Sequence, residues 1–353
     1  MNWGERELDE RESGGAPGHG GRTLVSRVDA LIEQQKRTWP LLANGYSALA
    51  HAETKPLVVE KSEVFAQHNP GRIKSTSAKV DKDSVERRLC FLCVENLPPE
   101  ERAVSYGEGL VIMCNPFPIL DHHLSIVHRD HIPQEIRGNV GVLLSLARDL
   151  TGRFFVLFNG AECGASAPDH LHFQACSRKL LPIEKDLGRP DSAEGGAKQA
   201  AGAGPVEVLN VPDCGRHVIV FRGSDQSAVE RAIRSSIGAL SRITGRPEPM
   251  INLIATVDEK GREFSWTVYL FPRGRHRPSC FFSEAEDRLM VSPGAIDMAG
   301  VIVVPEASDY RKIDSLQVRR IYREVTLADH LLREVMESIA AERDGRISSE
   351  IQD

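Results

Sequence analysis

The sequence of 353 residues has no apolar run that approaches the ~18 residues needed to cross a bilayer. Its first residues, MNWGERELDERESGG, also lack the apolar core of a signal peptide. Basic side chains are not in excess, because 44 Lys and Arg stand against 50 Asp and Glu for a net charge of −6. We therefore expect a cytoplasmic protein that binds neither membranes nor nucleic acid, while leaving room for local basic patches that bind phosphates.

We do not expect a disulfide framework, because the seven cysteines are an odd number in a long chain that we expect to stay in the cytoplasm. A cysteine cluster is therefore weighed first as a metal site. The length corresponds to about two domains or to one large duplicated fold.

Composition divides the chain into five segments. Residues 1–22 are charged and glycine-rich, which predicts a disordered tail, and residues 23–87 read as a helical and irregular segment with a first helix from Leu24 to Arg37. The Gly- and Ala-rich stretch 187–204 predicts a flexible linker between two halves, residues 88–186 and 205–353.

Both halves show the same order of two strands, a helix and two strands. In the first half the predicted strands are 109–116, 122–130, 153–160 and 170–176, with a helix over 138–151. In the second half they are 204–211, 216–223, 250–257 and 264–272, with a helix over 226–243. A strand at 299–305 and one helix over 314–343 follow. The pattern predicts an α+β fold made by duplication, with a large antiparallel sheet and helices on one side of it.

The main chemical motif is Gly164-Ala-Ser-Ala-Pro-Asp-His170-Leu-His172-Phe-Gln174. Alternate residues of a strand share a face, so His170, His172 and Gln174 converge on one side of the predicted strand. Asn159 ends the preceding apolar strand and would lie beside them. The alternative is a pair of surface histidines, which leaves the Gly-Ala-Ser loop and the aligned glutamine unexplained.

The stretch NGAECGASAPDHLHFQ resembles the active-site strand of the histidine-triad superfamily, in its transferase branch. That branch includes galactose-1-phosphate uridylyltransferase, diadenosine tetraphosphate phosphorylase and GDP-L-galactose phosphorylase, which carry His-x-His-x-Gln where hydrolytic members carry His-x-His-x-His. The specific resemblance covers about residues 88–185. It implies a duplicated histidine-triad-like fold and nucleotidyl transfer, and the uridylyltransferases additionally imply a homodimer.

The resemblance also implies site roles. His172 would be the nucleophile, with its other ring nitrogen held by a backbone carbonyl, and it would form a nucleotidyl-histidine. The nucleotide would come from a nucleoside-diphosphate sugar or a dinucleoside polyphosphate and pass to phosphate or a sugar phosphate. Contacts to the phosphoryl oxygens are implied for Gln174, Ser166, Gly164, Ala165 and Asn159.

Cys90-x-x-Cys93 forms a potential knuckle for a zinc ion, which needs two further ligands. The resemblance to uridylyltransferases implies that His131 and His170 complete a structural zinc site. Free structural cysteines and a redox pair are the alternatives, although the thioredoxin-like setting of a redox pair is missing.

The second half contains no His-x-His motif. It offers instead the basic loop after Phe271, with Arg273, Arg275 and Arg277, as a site for substrate phosphates or the acceptor, unless that loop is only solvated. Asn252 lies on the predicted strand 250–257, before this loop, and resembles an asparagine that the phosphorylases have at that place. Two other functions stay open: a histidine-triad nucleotide hydrolase, and a noncatalytic, zinc-stabilised nucleotide-binding protein.

Overall fold

The structure is a computed structural model that describes residues 2–8, 23–187, 198–199 and 205–343. Its strands are β1 (Glu53–Val59), β2 (Ser62–His68), β3 (Ala103–Tyr106), β4 (Leu110–Cys114), β5 (Leu124–His128), β6 (Phe154–Asn159), β7 (His172–Ser177), β8 (Lys198–Gln199), β9 (Val206–Asn210), β10 (Ile219–Gly223), β11 (Ile251–Lys260), β12 (Glu263–Pro272) and β13 (Val301–Val304). Its α-helices are Trp3–Arg6, Leu24–Thr38, Pro40–Ala50, Ile73–Thr76, Lys82–Glu86, Val140–Asp149, Pro182–Leu187, Gln226–Thr244, Ala295–Met298, Ala307–Lys312, Ser315–Val325 and Asp329–Arg343. Within these ranges no helix combines the length and the apolar character that crossing a membrane requires.

One antiparallel sheet of ten strands dominates the fold, in the order β3-β4-β5-β7-β6-β11-β12-β10-β9-β8. Read inward from the two ends of the sheet, the set β4-β5-β7-β6 and the set β9-β10-β12-β11 have the same strand order and connectivity. The two sets meet where β6 pairs with β11, and there Asn159 lies opposite Asn252. The predicted α+β fold with a duplicated antiparallel sheet is confirmed.

Helices cover both faces of this sheet, so the expectation of helices on one side only was wrong. On one face, helices Val140–Asp149 and Gln226–Thr244 pack on alternate residues of β6 such as Phe154, Val156 and Phe158. The opposite face buries Phe155 and Leu157 against β13 and helix Ser315–Val325. Strand β6 and the first seven residues of β11 are therefore buried on both sides, as central strands with two packed faces must be.

The N-terminal region is more regular than its sequence indicates. Strands β1 and β2 form a hairpin, and β13 adds to β2 in parallel to make a separate sheet of three strands. Residues 2–8, expected to be disordered, contain a helix whose Trp3 Nε1 donates to the Arg129 carbonyl at 3.1 Å, with Arg6 fully enclosed. The predicted tail was therefore wrong for residues 2–8, while residues 9–22 lie outside the described ranges.

The C-terminal region also departs from the prediction of one helix over 314–343. It forms two helices, Ser315–Val325 and Asp329–Arg343, because the chain leaves helical geometry at Thr326 to pair with Arg273. The predicted linker 187–204 lies outside the described residues apart from Leu187 and the two residues of β8.

Candidate active site

The site lies where β6 and β7 separate. The two strands pair up to Leu157 and Gln174, and the loop 160–171 then connects them. Beyond that pair the side chain of Gln134 fills the gap: its Nε2 donates to the carbonyls of Asn159 and His172 at 2.8 and 3.0 Å, and its Oε1 accepts from His172 N at 2.7 Å. A buried side chain thus replaces ladder hydrogen bonds and fixes the start of β7.

His172 is the first residue of β7 and is only 4% exposed. Its Nδ1 lies 2.8 Å from the His170 carbonyl, so Nδ1 carries the proton and donates it. Nε2 has no hydrogen-bond partner among the described residues. Burial lowers the pKa of His172 to about 4, so the ring is neutral. The expected hydrogen bond from this ring to a backbone carbonyl is confirmed.

The amide of Gln174 is oriented by His123. Ile119 N–H donates to His123 Nδ1 at 3.1 Å, so the proton of this buried, neutral ring must be on Nε2. Nε2 lies 2.7 Å from Gln174 Oε1 and donates to it. The Gln174 NH2 group is therefore left to face the polar cavity that this residue lines.

Asn159 is oriented in the same way. Its Oδ1 accepts from Asn252 Nδ2 at 2.7 Å and from Ala295 N at 2.8 Å. Both acceptor positions are occupied, so the NH2 group of Asn159 is available to the cavity. The amide donors of Asn159 and Gln174 thus both border the cavity, each held by a partner that sets its direction.

The loop 160–171 closes one side of this cavity. Gly164 has φ +91° and lies against Gly294, so closely that an added Cβ would be 2.7 Å from the Gly294 Cα. Ser166 lines the cavity, whereas the side chain of Ala165 is buried. The N–H groups of residues 164–166 donate no hydrogen bond to the described part of the chain. They are donors available for an anion.

Arg72 is a site residue that the sequence analysis missed. It lines the cavity together with Ser75, and it donates to the Phe117 carbonyl at 2.9 Å and to Ser75 Oγ at 2.9 Å. Its Nε has no partner, and no carboxylate of the described residues pairs with it. No motif marks it, because it follows β2 in a segment without clear periodicity.

Four predicted metal ligands come together beside this site. The ligand atoms of Cys90, Cys93, His131 and His170 all lie within 4.8 Å of one another. Cys90 Sγ is 3.4 Å and Cys93 Sγ 3.6 Å from His170 Nδ1, and Cys93 Sγ is 3.2 Å from His131 Nδ1. Zn–S and Zn–N bonds of about 2.3 and 2.0 Å in a tetrahedron separate such atoms by about 3.5 Å. The donor set therefore fits a tetrahedral metal.

The outer ring nitrogens support the same assignment. His170 Nε2 lies 2.8 Å from the His128 carbonyl, and His131 Nε2 lies 3.2 Å from Asp169 Oδ2. Each partner accepts a hydrogen bond from Nε2–H. The ring proton is therefore on Nε2, and Nδ1 is free to bind a metal. His170 thus links the metal cluster to His172, whose Nδ1 it holds through its own carbonyl.

Comparisons with known proteins identify the fold. Yeast Ap4A phosphorylase Apa2 in complex with AMP is 16% identical, with 85% of this chain and 96% of that chain covered and a TM-score of 0.56. The same enzyme in complex with Ap4A is 14% identical, covers 84% and 97%, and has a TM-score of 0.56. The chain has the fold of this phosphorylase. The resemblance seen in the sequence is confirmed at this level.

The remaining matches are partial or weaker. A family model described as a domain of unknown function, DUF4922, matches residues 31–177. None of the curated proteins matches the chain. A GalT-like protein from Arabidopsis thaliana matches more weakly, with 14% identity, coverage of 78% and 99% and a TM-score of 0.36.

The second half of the duplicated sheet keeps the strands and lacks the site. Where the first half has the loop 160–171, β11 and β12 are joined by a tight turn with Gly261 at φ +67°. On the site face β12 presents Tyr269 and Phe271, which are buried in the core. With neither loop nor histidine, this half supports the other instead of repeating its chemistry.

Arg273 and Asn252 do not reach the cavity, which corrects the prediction that they bind substrate. Arg273 is 2% exposed and donates to five protein oxygens, among them Asn252 Oδ1 and the carbonyls of Pro293 and Val325. Asn252 in turn donates to Asn159. No N–H of this guanidinium is left for a phosphate, so the pair positions Asn159.

The other two arginines of the basic loop also fall outside the cavity lining. Arg275 is exposed and pairs with Glu324 at 3.7 Å. Arg277 stacks on Phe281 and donates to Ser292 Oγ at 2.9 Å and to the Ala78 carbonyl at 2.8 Å. It braces two segments of the cavity wall, so a direct phosphate contact by Arg275 or Arg277 is not supported.

Proposed function

We propose that this protein is a nucleotidyltransferase that moves an NMP group through a nucleotidyl-His172 intermediate. The observation that carries the proposal is the neutral His172 ring, whose Nδ1 is bonded to the His170 carbonyl and whose Nε2 has no partner among the described residues. It lies on the same face of β7 as the oriented amide of Gln174. The donor would be a nucleoside-diphosphate sugar or a dinucleoside polyphosphate. The acceptor would be phosphate or a sugar phosphate.

In the first step Nε2 of His172 attacks the α-phosphorus and forms a P–N bond. The bond from that phosphorus to the bridging oxygen breaks, and its electron pair leaves with the departing phosphate ester. Because Nδ1 keeps its proton, the ring of the intermediate carries a positive charge, which the hydrogen bond to the His170 carbonyl stabilises. An acceptor oxygen then attacks the same phosphorus and releases His172.

Negative charge on the non-bridging oxygens grows during each step. Asn159, Gln174 and Ser166 line the cavity, and their NH2 and hydroxyl groups would bind the oxygens on which this charge develops. The N–H groups of residues 164–166, which make no hydrogen bond within the described residues, would add further donors. They are held in position before the reaction, so little reorganisation is needed. Arg72 would bind the phosphate on the opposite wall as a cation without a carboxylate partner.

The metal cluster would hold a structural zinc ion on Cys90, Cys93, His131 and His170. When bound, the ion would cross-link the Cys-x-x-Cys knuckle to His131 and to His170, two residues before β7. The protein groups around it keep the loop in place: Asp169 contacts both His131 and Arg88, and Arg88 donates to the Ser166 carbonyl at 2.8 Å. These contacts set the position of Ser166 relative to His172.

Gln174 supports transfer over hydrolysis. In this position an amide can donate hydrogen bonds to a phosphoryl oxygen, but it cannot deliver a proton to a leaving group. The reaction then suits leaving groups and acceptors that are themselves phosphates. The hydrolase alternative predicts product formation without added phosphate, and the binding-protein alternative predicts neither adduct nor product.

Intact-protein mass spectrometry tests the proposal. The protein is incubated with UDP-, GDP- and ADP-sugars and with diadenosine tetraphosphate at mildly alkaline pH, where a phosphoramidate survives. We expect the mass of one nucleotide to be added in the wild type and in His51→Ala, an exposed control, but not in His172→Ala. An adduct in His172→Ala, or neither adduct nor product with any donor, would overturn it.

A further inference from the structure

A second cavity of about 390 Å3 opens beside the site and has no role in the chemistry above. Its wall is largely apolar, with Trp39, Leu92, Leu97 and Met113 among the lining residues. It meets the polar cavity at shared residues, namely Arg72, Ser75, Asn115 and Ser166. An apolar cavity of this size next to a phosphate site has the dimensions of a ligand pocket.

Glu101 is the exception in that apolar wall. Its side chain is 6% exposed, yet its carboxyl group makes no hydrogen bond or ion pair with any described residue. Neither carboxyl oxygen is fully enclosed by protein atoms. Because Glu101 lines the cavity, these oxygens face it. A buried carboxyl without a partner is costly, and a ligand with hydrogen-bond donors would offset that cost.

The loop that carries Glu101 is fixed from two sides. Arg6 donates to the carbonyls of Leu97 at 2.9 Å and Glu101 at 3.3 Å. Gln35 accepts from Arg102 N at 2.9 Å and donates to the Glu100 carbonyl at 3.0 Å. Arg6 therefore bonds the main chain and leaves the Glu101 carboxyl unpaired. The main chain that carries this carboxyl is therefore fixed before any ligand enters.

We propose that this cavity binds the base of the nucleotide and that Glu101 selects guanine by accepting hydrogen bonds from its N1–H and N2–H. The inference rests on the proposed function, because the phosphates are placed at His172. A carboxylate presents two acceptors side by side, and guanine presents two adjacent donors. Adenine would place its N1 acceptor against a carboxylate oxygen, and uracil offers one donor between two carbonyls.

Proton linkage gives this pairing a signature. Burial raises the pKa of Glu101 to about 8, and the nearby charge of Arg6 opposes that rise. The carboxyl must therefore lose its proton to accept from guanine at neutral pH, so guanine affinity should rise about tenfold per pH unit up to about pH 8. The other titratable or charged groups beside it are Cys114 and the cavity residues Arg72, Lys74 and Arg88.

Calorimetric titration of the full-length protein with GMP, IMP, AMP and UMP tests the inference. At pH 7.5 we expect GMP to bind most tightly, and IMP, which lacks the N2 amino group, about tenfold more weakly. Glu101→Gln should weaken GMP at least tenfold and abolish the rise with pH. Glu100→Gln, an exposed neighbour, should bind GMP like the wild type.

Two results would overturn the inference: tighter binding of AMP or UMP than of GMP, or an unchanged GMP affinity in a Glu101→Gln variant that melts like the wild type. The adduct experiment separates this failure from that of the proposed function. Adducts from all donors without effect of Glu101→Gln would refute base selection alone. Glu101-dependent GMP binding without an adduct from any donor would refute transfer and support the base site.

Discussion

Gln134 controls the geometry at which His172 is presented, and its replacement makes a sharp test. Its side chain makes three buried hydrogen bonds, to Asn159 O, His172 O and His172 N. Gln134→Met keeps the length of the side chain and removes all three bonds. Three backbone groups are then left buried without partners.

The expected cost follows from those three bonds. Each contributes about 0.5–1.5 kcal/mol net, so their loss should lower the free energy of unfolding by about 1.5–4.5 kcal/mol. At about 2 °C per kcal/mol for a chain of this size, Tm should fall by roughly 3–9 °C. Calorimetry measures this fall. The rate of adduct formation should fall as well, because the start of β7 is no longer held.

A second variant separates hydrogen bonding from packing. Gln134→Glu keeps the shape and the acceptor for His172 N, but as a carboxylate it cannot donate to the two carbonyls. We expect its Tm to fall at least as far as that of Gln134→Met. A wild-type Tm and adduct rate in both variants would refute the role assigned to Gln134.

Three further predictions concern the metal cluster, the hydrogen-bond relay from Ile119 through His123 to Gln174, and the loop 160–171 that contains Gly164. Cys93→Ser should lose most of its bound zinc in elemental analysis and melt at a lower temperature, whereas full zinc content would contradict the ligand set. Burial lowers the pKa of His123 to about 3, from about 6.5 in the unfolded chain. The resulting stabilisation is fully present above pH 6.5. Between pH 6.5 and 3 the unfolded chain binds the extra proton, so the free energy of unfolding falls by about 1.4 kcal/mol for each unit by which the pH drops. Denaturant titrations at pH 4–7 should therefore show a shallower pH dependence for His123→Phe, and an unchanged slope would contradict the relay. Gly164→Ala should slow adduct formation and destabilise the fold by more than ~1 kcal/mol, whereas Gly138→Ala, at φ +80° with open space around it, should cost only about 1 kcal/mol and leave the rate unchanged.

Local pattern was enough to place the strands and the residues that share a face. The alternation of His172 and Gln174 along β7, and the apolar run that ends at Asn159, follow from the period of two that a strand imposes. The order of strands in each half follows from the same signal. The pairing of Cys90 and Cys93 with His131 and His170 came from resemblance, and the fold brings their ligand atoms together.

Tertiary structure alone decided which side chains support that site. Gln134, His123 and Arg72 carry no motif, and they meet the site only through contacts 25 to 51 residues apart in sequence or through a shared cavity. The fold also places Arg273 in the interior, where it donates to five protein oxygens. The sequence did not indicate this, because a loop after a strand has the same pattern whether its side chains face solvent or other protein groups. Periodicity constrains neighbours along the chain, whereas hydrogen-bond partners across the sheet depend on strand order and register. The sequence by itself therefore determined that His172 and Gln174 share one face of β7, and the packed fold determined what holds them in place.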